Sequence, residues 1–418
     1  MDILRFLTAG NVDDGKSTLI GRMLYDSHAL LEDQIQAIAR ASKSKGLPED
    51  EIDLSLITDG LRDERQQGIT IDVAYKYFHT DKRKFIIADT PGHVQYTRNM
   101  VTGASNCQLA IILVDARNGV TEQTRRHSYV SALLGIPHFV ICVNKMDLVD
   151  YSQQRFEEIV ADYRAMAQSM SVQEVTFIPI SALKGDNVVH RSSRMPWYMG
   201  KPLLQHLEEV PVTDDLNYEL TRFQVQYIIR PKDDRFHDYR GYAGRMMSGT
   251  LKVGDAVMVY PAGMMTTVTG IELGGQPLEE TQAPMSATLL LADDIDISRG
   301  DYIFKPEQMP AIVNEVEADI CWLDQKPLMQ GGKYWLQHHS KKVQCRVESI
   351  IYKTDIHSLQ AVENQPFLAM NDIGRVRLRL AEELCIDDYR TNRATGSAIL
   401  IDSATFNTVA AVMMRVKS

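Results

Sequence analysis

Short apolar runs separated by turn-forming residues set the plan of this chain of 418 residues. In the first half, Leu4-Arg5-Phe6-Leu7-Thr8-Ala9, Phe85-Ile86-Ile87-Ala88 and Phe139-Val140-Ile141-Cys142-Val143 have the length and continuity of buried strands. Helix-compatible stretches lie between them, the first running from Ser17 to Leu24. This alternation persists from Ile3 to about Glu209 and predicts an α/β domain, a mostly parallel sheet with helices on both faces. From about Leu220 the pattern changes. Phe223 to Ile228 alternates like a half-buried strand, and glycines recur at Gly241, Gly244, Gly249, Gly254, Gly270 and Gly274-Gly275. Short strands separated by such turns predict a barrel. Ser248 to Asp255 reads as strand, turn, strand, and Val313–Leu323, Val343–Tyr352 and Gly374–Leu380 are strand-like. Prolines mark joints near Pro211 and Pro310, so the expected domains are 1–210, 211–310 and 311–418.

Composition narrows the class. With 44% hydrophobic and 24% charged residues the chain reads as soluble and globular. No apolar run exceeds Leu109 to Val114, too short for a membrane helix, and no basic leader precedes Ile3, so no membrane association is expected. The five cysteines form no C-x-x-C pair, as expected of reduced thiols in a cytoplasmic protein. A net charge of −10 argues against a surface that grips nucleic acid, and none is expected as a partner. Asp293 to Asp296 reads as a solvated barrel rim, and His338 to Lys342 as an exposed turn. The methionine pairs Met246-Met247, Met264-Met265 and Met413-Met414 read as gap-filling core.

The candidate chemistry sits in the first domain. Gly10-Asn11-Val12-Asp13-Asp14-Gly15-Lys16-Ser17, followed by Thr18, falls between a strand and a helix, the context of a phosphate-binding P-loop. Gly10 and Gly15 let the backbone N–H groups close on phosphate; Lys16 neutralises the β- and γ-phosphates and the Ser17 hydroxyl ligates Mg²⁺. Thr70, in Gly68-Ile69-Thr70-Ile71, is the candidate switch threonine, a second Mg²⁺ ligand released when the γ-phosphate is lost. Asp89-Thr90-Pro91-Gly92-His93 ends a strand. Asp89 can hold Mg²⁺ through water, Gly92 offers its N–H to the γ-phosphate, and His93 can orient the attacking water. The candidate catalytic residues are therefore His93, Lys16 and Thr70. Asn144-Lys145-Met146-Asp147 and Ser181-Ala182-Leu183 supply base identity. The Asp147 carboxylate can accept from guanine N1 and N2, which adenine cannot satisfy, the Lys145 stem can cover the base, and the Ala182 N–H can reach O6. In this order the motifs define a guanine-nucleotide site taking GTP and Mg²⁺. No arginine finger can be assigned; Arg65, near the switch threonine, is a candidate but reads better as a solvated or structural charge.

On these residues the chain resembles the translational-type GTPases, of which elongation factor Tu is one; D-T-P-G-H ending in His93 marks that branch. The resemblance implies a GTPase domain followed by two antiparallel β-barrels. It also implies that Val12 and Ile69 flank the catalytic histidine and that Asp59 lies near Mg²⁺. A closer resemblance is to the large, GTPase subunits of bacterial ATP sulfurylase (sulfate adenylyltransferase subunit 1). Segments outside the nucleotide motifs carry it: Gln123-Thr124-Arg125-Arg126-His127-Ser128, Met195-Pro196-Trp197-Tyr198 and Asp294-Ile295-Asp296-Ile297-Ser298-Arg299-Gly300-Asp301.

That family implies a GTPase whose turnover drives a separate small catalytic subunit to form adenylyl sulfate and pyrophosphate from ATP and sulfate. It also implies a possible adenylyl-sulfate kinase, fused or associated; no second P-loop follows in this chain. Partner contacts are expected around Leu24 to Asp59 and Arg117 to Ser128. A translation factor delivering aminoacyl-tRNA is the alternative, and a neighbouring gene for a small adenylating subunit would discriminate. A non-catalytic scaffold fits poorly, since Lys16, Ser17, Thr70, Asp89 and His93 are all present.

Overall fold

The computed structural model describes residues 2–30, 32–44, 52–57, 73–92, 97–170, 172, 174–211, 216–231 and 239–416. The chain divides into two compact units, Met1–Thr213 with Asp355–Gln360, and Asp214–Thr354 with Ala361–Ser418.

Among the described residues of the first unit, six strands form one sheet in the order β2-β3-β1-β4-β5-β6. They are β1 Ile3–Ala9, β2 Ala74–His79, β3 Lys84–Asp89, β4 Leu109–Asp115, β5 His138–Asn144 and β6 Glu174–Pro179. All pairings are parallel except that of edge strand β2 with β3. Every residue of β4 and β5 is buried, which is why they read as unbroken apolar runs rather than alternating ones. The helices are α1 Lys16–Asp26, α2 Glu32–Ser44, α3 Thr97–Ala104, α4 Glu122–Leu133, α5 Gln153–Ala167 and α6 Leu203–Glu209. Leu19, Ile20, Met23 and Leu24 form the buried stripe of α1 and join Leu4, Phe6 and Ile111 in one core cluster. Each such side chain, fully buried, contributes roughly 1.5–3 kcal/mol. Helix starts are fixed locally: α4 opens on a capping box between Thr121 and Thr124, and α5 on the Ser152 hydroxyl accepting from the Arg155 N–H. On α1, Gly21 lets the 3₁₀ turn Leu54–Ile57 approach so closely that a Cβ there would lie 2.1 Å from the Leu54 carbonyl oxygen.

The topology collects the sequence motifs. β1 runs into Gly10, β3 ends at Asp89, β5 ends at Asn144, and β6 leads to Ser181. Register sets Thr8 beside Asp89 and Asp115 beside Asn144. The motifs therefore share the carboxyl edge of a parallel sheet, where open α/β folds bind ligands.

The second unit contains two closed barrels. The first uses β7 Arg222–Ile229, β8 Gly241–Ser248, β9 Thr250–Lys252, β10 Ala256–Tyr260 and β11 Met264–Leu273. It continues with β12 Gln276–Leu278, β13 Glu280–Gln282, β14 Ser286–Leu291 and β15 Tyr302–Phe304. The order β10-β15-β7-β8-β14-β11 closes through β10–β11 pairing, with β12 appended and β9–β13 a separate ribbon. The second uses β16 Ala311–Trp322, β17 Leu328–Met329, β18 Lys333–His338, β19 Lys341–Thr354 and β20 Ala361–Glu363. Then come β21 Phe367–Leu368, β22 Ile373–Ile386, the short helix α7 Arg393–Gly396, β23 Ser397–Asp402 and β24 Thr408–Arg415. The order β18-β23-β24-β16-β22-β19 closes through β18–β19. Each barrel has its own core, around Phe223, Val257 and Leu289 in one and Trp322, Val376 and Val412 in the other.

A buried ion pair joins the barrels: Arg222 Nε and Nη2 reach the Asp387 carboxylate at 2.9 and 2.8 Å. Asp387 also accepts from Asn392 Nδ2 and the Thr395 hydroxyl, so both its oxygens are satisfied. The joint corrects one expectation. His338 is not in an exposed turn; it ends β18 fully buried, stacked against Tyr302, with Nε2 3.0 Å from the Thr395 carbonyl oxygen. The methionine pairs divide: Met246, Met413 and Met414 are core, whereas Met264 and Met265 are half exposed at 48% and 50%. Asp294 and Asp296 are exposed, as a barrel rim predicts, and pair with Arg240. All five cysteines are free and buried, and burial pushes the thiols of Cys345 and Cys385 up to about 12. Among the described residues no helix is long and apolar enough to cross a membrane.

Candidate functional site

At the carboxyl edge of the first unit's sheet, a cavity of about 500 Å³ is lined by Val12, Asp13, Gly15, Lys16, Ser17 and Thr18 on its phosphate-loop side. Gly92 adjoins them, and Asn144, Lys145, Asp147, Ala182 and Leu183 line the other side. The structure thus brings together residues up to 171 positions apart in sequence. Gly10, Asn11, Asp14, Asp89 and Ser181 stand directly behind this lining through the contacts below. His93 and Thr70 lie outside the described residues, as do Asp59, Arg65 and Ile69.

The phosphate side is built on the β1–α1 turn. Gly15 has φ +93°, and a Cβ there would meet Asn144 Nδ2 at 2.5 Å, so glycine is required twice over. α1 starts at Lys16 with no side-chain cap, so the first-turn N–H groups, which have no partner within the helix, border the cavity. Lys16 Nζ donates to the carbonyls of Gly10 at 3.0 Å and Asn11 at 2.9 Å, which curls the loop around the ammonium. Burial lowers its pKa, with the carboxylates of Asp89, Asp14 and Asp13 opposing. Gly92 lies so near that a Cβ on it would meet Lys16 Nζ at 2.6 Å and the Gly10 oxygen at 2.8 Å. Asp89, 1% exposed, accepts from the Thr8 hydroxyl at 3.0 Å. Asp14 is also buried; its carboxylate accepts from the Asn11 N–H at 2.6 Å, and desolvation still raises it to about 6. The Ser17 hydroxyl makes no hydrogen bond among the described residues.

The base side is held from several directions. Asn144 Nδ2 donates to the Asp14 carbonyl at 2.7 Å, and its Oδ1 accepts from the Ala182 N–H at 2.9 Å. One side chain thus ties the phosphate loop to the Ser181–Leu183 loop. The Ala182 N–H is engaged by that amide, whereas the Leu183 N–H makes no hydrogen bond among the described residues. The Ser181 hydroxyl donates to Asp147 Oδ1 at 2.6 Å, fixing a carboxylate that lines the cavity. Lys145, at φ +63°, reaches Asp115 Oδ2 at 3.0 Å. Burial alone would raise Asp115, but hydrogen bonds from Arg117 and Lys145 outweigh it and hold the carboxyl near 2.

Sequence reading missed Asp115, which pins the lysine of N-K-M-D, and Leu148, 54% exposed beside that motif and on the cavity wall. It also missed Arg22, whose guanidinium grips the Ala182 and Leu183 carbonyls. None carries a motif of its own. The segment Arg117 to Ser128, expected to offer partner contacts, is partly closed off: Thr124, His127 and Ser128 are buried. Burial, with the charge of Lys16 adding to it, lowers His127 to about 3 and keeps the imidazole neutral.

A P-loop on the first turn of a helix, facing an N-K-x-D loop across one cavity and followed by two closed barrels, defines a translational-type GTPase. The family profile described as "Elongation factor Tu GTP binding domain" matches residues 1–229, and "GTP-eEF1A C-terminal domain-like" matches residues 315–415. Full-length similarity is more particular. The chain is 49% identical to "Sulfate adenylyltransferase subunit 1" of Bacteroides fragilis over 413 residues, 99% of this chain and 86% of that protein. It is 49% identical to the protein of that name from Aliarcobacter butzleri over 417 residues, 100% of this chain and 88% of the relative. "Bifunctional enzyme CysN/CysC" of Mycobacterium tuberculosis is 51% identical over 413 residues, 99% of this chain and 67% of the relative. The chain belongs to the sulfate adenylyltransferase subunit 1 family, an enzyme subunit within the elongation factor Tu-like GTPases.

Proposed function

We propose that this chain is the GTPase subunit of a heteromeric sulfate adenylyltransferase. GTP hydrolysis here drives a separate small subunit to form adenylyl sulfate and pyrophosphate from ATP and sulfate. An associated or fused adenylyl-sulfate kinase would consume the product. The observation that carries the reading is one cavity with phosphate-binding and guanine-reading loops at its two ends, in a chain related to subunit 1 over its full length.

The residues divide the work. N–H groups at the start of α1 and Lys16 bind the phosphates, and Asp147 and the Ser181–Leu183 loop bind the base. The residues present fit Mg²⁺, since the Ser17 hydroxyl, without a hydrogen bond among the described residues, and the buried Asp89 carboxylate are the hard oxygen donors this ion takes. Thr70 would complete that set. Bound Mg²⁺ would neutralise charge that develops on the phosphoryl oxygens. His93 would orient the attacking water. Driving an unfavourable adenylylation requires that the partner bind the GTP and GDP states with different affinity.

The test is steady-state GTP hydrolysis by the purified chain alone, with the small subunit plus ATP and sulfate, and with ribosomes plus charged tRNA. Stimulation in the second condition only is expected. Stimulation by ribosomes only would overturn the proposal in favour of a translation factor.

A further inference from the structure

The loop Ser181–Asp186 is anchored at its front by Asn144 and at its base by backbone hydrogen bonds between Ser181 and Asp186 at 3.1 Å. A third anchor comes from α1. Arg22 Nε donates to the Ala182 carbonyl at 3.2 Å, and Nη2 to the Leu183 carbonyl at 2.5 Å. Nη1 is held by Asp26 Oδ1 at 3.3 Å, one helical turn on, so the fork is oriented before it reaches the loop. Gly185, at φ +80°, lets the loop close over this pair: a Cβ there would sit 3.4 Å from Asp26 Oδ2 and 3.6 Å from Arg22 Cδ.

The peptide between Ala182 and Leu183 is planar and trans, so its C=O and N–H point in opposite directions. Holding the Ala182 carbonyl toward α1 turns the Leu183 N–H away from α1. Among the described residues that N–H is the loop donor left without a hydrogen bond, and both residues line the nucleotide cavity. We propose that Arg22 is a positioning residue for guanine recognition: by gripping the Ala182 and Leu183 carbonyls it aims the Leu183 N–H at the C6 oxygen of the purine. The inference rests on the guanine reading above and deepens it. It also makes one rigid body of the base loop and the phosphate loop, because the helix that carries Arg22 begins at Lys16.

The experiment compares GDP with 6-thio-GDP, which keeps the N1 and N2 edge read by Asp147 and replaces the C6 oxygen with a larger, poorer acceptor. Wild type is expected to prefer GDP. Arg22→Met should weaken GDP about 10-fold, the loss of a well-aimed hydrogen bond, and 6-thio-GDP less, so that the preference narrows. Arg22→Lys, with a single compact donor, should recover part of it. An unchanged preference in a folded Arg22→Met protein would overturn the proposal, even if both affinities fell together, because a merely structural arginine would weaken both ligands alike. If Arg22→Met does not fold, Gly185→Ala disturbs the same grip from the loop side and must narrow the same ratio. Failure of the guanine reading itself would look different: wild type would bind ADP as well as GDP.

Discussion

Asp14 is a carboxylate folded into the wall of an anion site. Its folded-state pKa, near 6, lies above the ordinary 3.8, so ionising it works against the fold. The contribution is neutral well below pH 4, where the group is protonated folded or unfolded; it becomes unfavourable as pH rises from about 4 to 6 and stays constant above that. Asp14→Asn, which retains an acceptor for the Asn11 N–H, should therefore stabilise the nucleotide-free protein at pH 7.5. The gain should be at most about 3 kcal/mol and fade toward pH 4, as read by urea denaturation of both proteins across that range. Asp147 answers to a different test. Its Oδ1 is fixed by Ser181, so a replacement amide would be held in the same place. Asp147→Asn should weaken GTP about 100-fold and improve xanthosine triphosphate, whose purine edge offers an acceptor where guanine offers a donor. Competition binding with the two nucleotides checks it.

At the scale of elements, Gly21 opposes intrinsic propensity to packing. Alanine is the better helix former by about 1 kcal/mol, yet a methyl at Gly21 would collide with the backbone of Leu54. Gly21→Ala should lower stability by about 1–3 kcal/mol, because a backbone carbonyl cannot step aside as a flexible side chain can. A gain in thermal midpoint would refute that packing argument. The same contrast explains what was legible in the sequence. The run that became β5 was readable because burial on both sheet faces leaves a near-continuous apolar signature, and β1 and β3, buried over most of their length, keep enough of it to be read as strands. The P-loop and N-K-M-D were readable because ligand chemistry dictates residue type at fixed spacing. Arg22 was not, since its partners lie 160 and 161 residues away and nothing local marks a guanidinium that will meet a distant loop. His338 misled because His-His-Ser-Lys-Lys looks solvated, while the closing of β18 on β19 turns its imidazole inward against Tyr302.

For the whole molecule, the two compact units place nucleotide chemistry and barrel packing in separate cores. Arg222→Met would leave Asp387 buried without its cation, at a cost of about 3–5 kcal/mol. Calorimetry should show the barrel transition falling by several degrees while the transition raised by GDP keeps its position, since a ligand stabilises only the unit that binds it. One further property follows from where the sulfur atoms lie. With all five thiols buried, the native protein presents no thiolate to an alkylating reagent. Cys107 and Cys142 sit in the nucleotide-binding unit, and Cys321, Cys345 and Cys385 in the barrels. Iodoacetamide labelling thus becomes a clock for opening: each thiol reacts only as often as its own unit breathes, and mass spectrometry of the labelled peptides reads the two clocks apart.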